Sequence, residues 1–576
     1  MRTQLGVAVA LVLLAGTTAV AKEEVWEGTL DSQGVQLRLV LHIDKPDKGD
    51  WKATLDSPDQ SANGLKVDTI AVKDGMLRFE MKDLGARFSG KVNEAGTEAA
   101  GDWSQGGGKL PLTLKKVDRS TAAAPPGKEE IWEGKLAVQA GLEMRLVLHV
   151  VKAEKGAWTA TFDSPDQGAK GLKVDSVAIE KGTLKFTMKG ISAEYSGKLN
   201  EAATEAVGEW KQGGQTFPLT LKKTDKASEV RRPQTPKPPF PYREVAAAYE
   251  NTAGGVKLAG TLTVPSGQGP FPAVIMISGS GAQDRDETLF GHKPFLLIAD
   301  ALTRRGVAVL RVDDRGVGGS TGGTSKSTSE DFAGDVLAGI SYLKSRSEID
   351  PARIGLIGHS EGGIIAPMVA ARSNDVAFIV LLAGTGLPGD EILQKQVGLI
   401  SKAMGRADEL TAKSLGVQRK LVEVVKTVKD EKEAAAKMRA ITKEFIASLS
   451  EGEQKKLGNV ERLADAQIGM LGSGWFRFFL TFDPRPTLTK VRCPVLALNG
   501  EKDLQVPPKE NLAEIAKALK SGGNERVTVK ELPGLNHLFQ TCKTGAPAEY
   551  ALIEETMAPS ALTIIGDWVE EQARAK

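Results

Sequence analysis

A serine hydroxyl becomes a nucleophile only when a base takes its proton and a third group orients that base. In this chain of 576 residues the serine placed for such chemistry is Ser360, in Gly358-His359-Ser360-Glu361-Gly362. Glycines two positions either side of a serine permit a tight strand-to-helix turn that exposes the hydroxyl. The apolar run Ile354-Gly355-Leu356-Ile357 enters the turn and a helix-compatible, small-residue segment leaves it. Where such an elbow occurs, the acid and then the histidine follow the serine in the chain. Of five histidines only His537 lies after Ser360, so elimination names the base. For the acid, Asp503 follows the strand-like Val495-Leu496-Ala497-Leu498, at a strand's carboxyl end, where catalytic groups collect in open sheets. Glu501 is the alternative acid. Acyl transfer passes through an oxyanion that needs N–H donors. The backbone of Glu361 is one candidate donor. The other is Ser280, with Gly281 as alternative, in the loop Ser278-Gly279-Ser280-Gly281. His359 is read as a packing residue beside the nucleophile.

The elements that must position these groups begin near Tyr242, where strands alternate with helical segments and predict a mostly parallel sheet covered on both faces. Leu258 to Val264 reads as an entry strand. Ala273–Ile277, Val307–Val312, Ile354–Ile357, Phe378–Leu382, Val495–Leu498 and Val527–Val529 follow as further strands. The glycine-rich loops at 278–286 and 313–320 match neither phosphate-binding pattern and are read as tight turns at the sheet's edge. Residues 388 to about 480 are long, charged and helix-prone, and are expected to form an inserted helical cap. Within it, Trp475-Phe476-Arg477-Phe478-Phe479 either lines a substrate pocket or packs cap onto sheet.

Upstream, the chain repeats itself. Glu24-Val25-Trp26-Glu27-Gly28 returns as Glu130-Ile131-Trp132-Glu133-Gly134 at an offset of 106 residues, and Asp56-Ser57-Pro58-Asp59-Gln60 returns at 163–167, an offset of 107. The extra residue is expected in the first turn of the second copy. Apolar and polar residues alternate, with Leu37, Leu39, Leu41 and Ile43 sharing one face, so each copy reads as about eight short strands in a small barrel or sandwich. His42 and His149 sit at matching polar positions and are read as rim residues, and the repeated tryptophans as core packing. The expected organisation is a signal peptide at 1–21, β-barrel repeats at 22–118 and 129–225, a proline-rich linker at 226–242, and a third body at 243–576. Proline-rich composition predicts semi-rigid spacers and hence three distinct bodies.

Arg2, the apolar Val7–Leu14 and Ala19-Val20-Ala21 read as an export signal, which implies a periplasmic or secreted protein with no stable membrane span once it is cleaved. Lys and Arg number 75 against 73 Asp and Glu, so no global field attracts nucleic acid. A small-molecule partner is expected, with an envelope ligand open for the barrels. Cys493 and Cys542 are read as unpaired thiols.

Four motifs, Ser-Gly-Ser-Gly-x-Gln-Asp-Arg-Asp, Gly-His-Ser-Glu-Gly-Gly, Asn-Gly-Glu-Lys-Asp-Leu-Gln-Val-Pro and Asn-His-Leu-Phe-Gln, occur in that order. Residues from about 243 to 573 thereby resemble an α/β-hydrolase of the serine carboxylesterase type, similar to the EstD-like esterases. The resemblance implies an α/β fold and hydrolysis of carboxylic esters, often with short acyl chains, with no cofactor or metal. The motifs leave a peptidase or thioesterase open, and so does an inert hydrolase body whose barrels bind envelope polymer or lipid.

Overall fold

The computed structural model describes residues 22–574 apart from 33–34, 46–50, 58–61, 82–84, 106–107, 118–128, 140–141, 153–157, 168, 213–214, 229–230, 325–326, 404–407 and 451–467. The expected signal segment and the link between the repeats lie outside the described residues. Two compact bodies result, residues 1–123 and 124–576. Among the described residues no helix is long and apolar enough to cross a membrane.

Each repeat is one antiparallel, barrel-like sheet of nine strands. The number exceeds the expected eight because a short break at Asp68, and again at Val174-Asp175, divides a run in two. Alternation places Leu39, Leu41 and Ile43, and their counterparts Leu146, Leu148 and Val150, in the cores. Trp26, Trp103, Trp132 and Trp210 are buried there too, so these tryptophans pack the interiors. The extra residue of the second copy is not in a turn. The first two strands of both copies are separated by the same two-residue gap, whereas the pairing of Glu130–Gln139 with Leu142–Lys152 shifts between Ala137 and Gln139. Val138 is therefore a β-bulge, which absorbs one residue without changing the loop.

The second repeat and the remainder of the chain form one body, which corrects the expectation of three. The linker is a strap rather than a spacer. Arg232 donates to the carbonyls of Phe290 at 2.8 Å, Ala551 at 2.9 Å and Ile553 at 2.9 Å. Gln234 donates to the Met557 carbonyl at 2.7 Å and accepts the Thr556 and Met557 N–H groups. Upstream, the Ser228 N–H reaches Glu133 of the barrel at 2.8 Å. Burial, and then the charge of Arg145 in the barrel, holds the Arg232 guanidinium below its ordinary pKa, against the opposing fields of Asp166 and Glu554.

The C-terminal sheet has eight strands, in the order Arg243–Asn251, Val256–Val264, Ala308–Val312, Phe271–Ile277, Ile349–His359, Phe378–Leu382, Val495–Gly500 and Val527–Leu532. The first two pairings are antiparallel and the rest parallel. Helices Ser329–Lys344, Gly362–Ala370 and Pro508–Ser521 cover one face, and Pro294–Arg304 and Pro559–Arg574 the other. Burial on both faces explains why the central strands are continuous apolar runs. Between Phe378–Leu382 and Val495–Gly500 comes the helical insertion, with described helices Gly389–Ala403, Asp408–Thr427, Glu431–Ala447 and Gly474–Thr481. It has its own core of Leu421, Val425, Met438, Phe476 and Leu480.

Arg232→Ala strips the donor from the part-buried carbonyls of Ala551 and Ile553 and from the exposed one of Phe290, and an unsatisfied group costs about 1–3 kcal/mol where it is buried. We expect unfolding free energy to fall by at least about 2 kcal/mol in urea titration, with faster hydrogen exchange over residues 549–557. Unchanged stability and exchange would mark the linker as a passive spacer.

Candidate active site

Ser360 follows the fifth strand of the sheet order and sits at φ +52°. That left-handed conformation costs a non-glycine residue on the order of 1–3 kcal/mol and persists only where the surroundings impose it. They do so sterically: a Cβ at Gly358 would run into the Gly362 carbonyl, and one at Gly362 into the Ile277 carbonyl. The turn is pinned by the Ser360 N–H to the Leu382 carbonyl at 2.8 Å and by the Gly363 N–H to the Ser360 carbonyl at 2.9 Å.

His537 and Asp503 arrive from the ends of the two neighbouring strands at that edge. His537 Nδ1 lies 2.8 Å from Asp503 Oδ2, with both residues buried. Asp503 Oδ1 accepts the Gln505 and Val506 N–H groups, each at 2.8 Å, so the carboxylate is oriented by its own loop. Asn536, fully buried, folds the other loop by accepting the Leu538 and Gln540 N–H groups at 3.0 Å. With Nδ1 taken, Nε2 is the ring nitrogen available to a hydroxyl. Ser360 and His537 line one cavity of roughly 180 Å³, together with Ser280, Leu289, His292 and Leu538. No Ser360–His537 hydrogen bond forms among the described residues; such bonds often tighten only with substrate bound. Glu501, the alternative acid, instead accepts the Gly534 N–H at 2.8 Å.

Strand Phe271–Ile277 pairs in parallel with the elbow strand, Ile277 against Gly358, so the 278–283 loop lies beside the elbow. Within the described residues the N–H groups of Ser280 and Glu361 have no hydrogen-bond partner, whereas the Gly279 N–H is taken by Glu287 Oε1 at 2.6 Å. Ser280 lines the cavity and Gly281 does not. The loop is a braced structure rather than a simple edge turn. Asp314, whose carboxyl is pushed up to about 7 by burial, accepts Ser278 Oγ at 2.7 Å and the Gln283 N–H at 3.0 Å. Arg285 pairs with Asp313, and Asp286 with Arg311.

Sequence reasoning did not single out Glu287, and it read His359 as packing beside Ser360 without a polar partner. His359 Nδ1 lies 2.9 Å from Glu287 Oε1, and its Nε2 lies 3.2 Å from the His537 carbonyl. The signal available was the unbroken charged run Asp284-Arg285-Asp286-Glu287, separated by six residues from a buried strand. The cap aromatics pack rather than line the catalytic cavity: Trp475 stacks on Phe479 and donates to Glu361 Oε1 at 2.8 Å. Among the described residues no cluster of three or more His, Cys, Asp or Glu side chains is arranged to hold a metal ion. Cys493 and Cys542 are free thiols.

Residues 254–531 match the X-Pro dipeptidyl-peptidase (S15) family. The chain is 26% identical over 297 residues to esterase EstD of Thermotoga maritima, covering 51% of this chain and 61% of that protein. The C-terminal body has the α/β-hydrolase fold. The chain is also 33% identical over 132 residues to the putative hydrolase YtaP of Bacillus subtilis, covering 20% of this chain and 43% of that protein. The chain thus spans less than two thirds of the length of the first curated relatives it matches. Among solved structures, the α/β hydrolase GrgF from a Penicillium species is similar at 17% identity and a TM-score of 0.37, covering 58% of this chain and 100% of that one. A Pyrococcus furiosus esterase, Pf2001, is similar at 15% identity and a TM-score of 0.35, covering 60% and 99%.

His292, buried on the cavity wall, bonds Thr556 Oγ1 at 3.0 Å and the Tyr550 carbonyl at 3.1 Å. Burial, and then Arg232, lower its pKa to about 4. A base whose folded pKa is depressed stabilises the fold above its unfolded pKa, and that stability is lost as pH falls towards the folded value. Wild-type stability should drop between about pH 6.5 and 4, and His292→Asn should flatten that slope in urea titrations. Equal slopes would show that His292 does not titrate out of register with the unfolded chain.

Proposed function

We propose that this protein is a serine carboxylesterase that hydrolyses short-chain esters through an acyl-enzyme on Ser360. The observation that carries the reading is the buried Asp503–His537 pair at 2.8 Å, closing on the cavity that Ser360 enters from a strained elbow. In this reading His537 takes the Ser360 proton through Nε2 while Asp503 holds the ring by Nδ1 and stabilises the imidazolium. Ser360 Oγ attacks the acyl carbon, and the oxyanion is met by the Ser280 and Glu361 N–H groups. His537 returns the proton to the leaving alcohol, and water, deprotonated by the same ring, releases the acid. The cavity of roughly 180 Å³ has the apolar walls Leu289, Pro294 and Leu538 beside a neutral His292, which suits a short uncharged acyl group. The similarity to an esterase points the same way.

A peptidase is the second reading, favoured by the S15 match over residues 254–531. The same triad cleaves both bonds. We favour the ester because the carboxylate on the cavity wall, Glu287, is already engaged by Gly279 and His359 and is not free to hold a substrate ammonium. The reading includes export to the periplasm or beyond, from residues 1–21, and leaves the barrels to bind an envelope ligand.

Rates across p-nitrophenyl esters of increasing chain length, peptide anilides and thioesters test the substrate class. The expected result is a maximum at short esters, with Ser360→Ala inactive and Asp503→Asn lowered by about 10³–10⁴ in kcat. Faster cleavage of X-Pro anilides than of any ester would replace this reading with the peptidase.

A further inference from the structure

Beside the catalytic pair lies a second histidine–carboxylate pair that the steps above do not use. His359 is 7% exposed and Glu287 6%, and the His359 and His537 rings lie 5.0 Å apart between centroids. His359 Nε2 faces the His537 main-chain carbonyl at 3.2 Å. A carbonyl only accepts, so this nitrogen carries a hydrogen. Nδ1 of the same ring meets Glu287 Oε1 at 2.9 Å, and that oxygen also accepts the Gly279 N–H at 2.6 Å. Glu287 holds this place from a backbone at φ +51°, a conformation costly for a residue with a side chain. The braces on either side impose it: Asp284 Oδ1 accepts the Asp286 N–H at 3.0 Å and the Thr288 N–H at 2.9 Å. A Cβ added at Gly279 would lie 3.1 Å from Glu287 Oε1, 3.3 Å from Ser360 Cβ and 3.4 Å from His359 Nδ1. Oxyanion loop, nucleophile and second pair therefore converge on one point.

We propose that Glu287 and His359 are positioning residues, which tie the oxyanion loop at Gly279 to the main chain of His537 and so fix base and oxyanion donors in one geometry about Ser360. The proposal rests on the serine-hydrolase reading for its catalytic consequence, but not for the structural one. Burial alone opposes charge on His359; the facing Glu287 carboxylate, with the His537 carbonyl and the more distant Asp503, outweighs it and raises the pKa of the ring. An imidazolium donating from both nitrogens satisfies both acceptors, and with Glu287 it forms a pair of zero net charge. The pair thus orients the catalytic base without competing with Asp503 for its proton.

The test compares full-length wild type, His359→Phe, His359→Gln and Glu287→Gln. In His359→Phe, kcat on the best ester should fall about 100-fold, as expected for a displacement near 1 Å, while KM stays within about threefold. His359→Gln, whose amide can still donate to the His537 carbonyl, should recover part of kcat. A second readout needs no turnover: the downfield proton resonance of His537 Nδ1–H, sharp in wild type, should broaden or vanish in His359→Phe and Glu287→Gln. Should His359→Phe not fold, Glu287→Gln, which keeps the volume and removes the carboxylate, is read in the same way. If wild type cleaves no ester and the resonance still depends on His359, the positioning stands and the esterase reading falls. If wild type is active through Ser360 and a folded variant keeps its kcat, the proposal is overturned. In an inactive wild type, a resonance indifferent to these substitutions overturns it equally.

Discussion

The parallel pairing of Phe271–Ile277 with Ile349–His359 is the interaction on which the site depends. Its register sets Ile277 opposite Gly358, so two chain reversals leave the sheet side by side, one carrying Ser360 and the other Ser280. The elbow fits there only because Gly358 and Gly362 present no Cβ to the carbonyls pressed against them. Beyond Phe378–Leu382, the two outermost strands on that side, Val495–Gly500 and Val527–Leu532, then deliver Asp503 and His537 to the same edge. Four residues spread over more than 250 positions thus meet through strand order, a purely topological consequence of a sheet whose ligands gather at strand carboxyl ends.

Around that edge the protein buries carboxylates in unusual density. Glu287, Glu361 and Asp503 are each less than a tenth exposed, and burial pushes the Asp314 carboxyl up to about 7. Burying a carboxylate is costly unless donors meet it. Here every one meets them: backbone N–H groups for Asp503, Gly279 and His359 for Glu287, Ser329 and Trp475 for Glu361, Ser278 and Gln283 for Asp314. The donors come from the cap, the elbow strand, the 278–283 loop, the loop that carries Asp503 and one covering helix. A network of this kind sacrifices stability relative to an apolar core and returns a fixed geometry. The Trp475–Glu361 bond matters most for the cap, because it links the cap's aromatic helix to the residue that follows Ser360.

The elbow was legible in the sequence because its glycines answer a steric demand at fixed spacing, and His537 because no other histidine follows Ser360. Strands buried on both faces were equally legible as apolar runs. Glu287 was not, since its partner His359 lies 72 positions away and only the folded chain brings them together. The linker misled for a different reason: proline content speaks to backbone stiffness, whereas its docking rests on two side chains, Arg232 and Gln234, that composition does not weigh. The bulge at Val138 shows the same limit, because a one-residue offset between repeats locates an insertion but not whether loop or strand absorbs it.

In the proposed reaction the chemistry runs through a covalent acyl group on Ser360. Intact-protein mass spectrometry after rapid acid quench of p-nitrophenyl butyrate turnover, followed by peptide mapping, tests it directly. The account predicts a mass increase of one butyryl group, confined to the peptide containing Ser360 and absent in Ser360→Ala. Steady ester turnover with no acylated Ser360 peptide, or acylation at another residue that sustains turnover in Ser360→Ala, would contradict it.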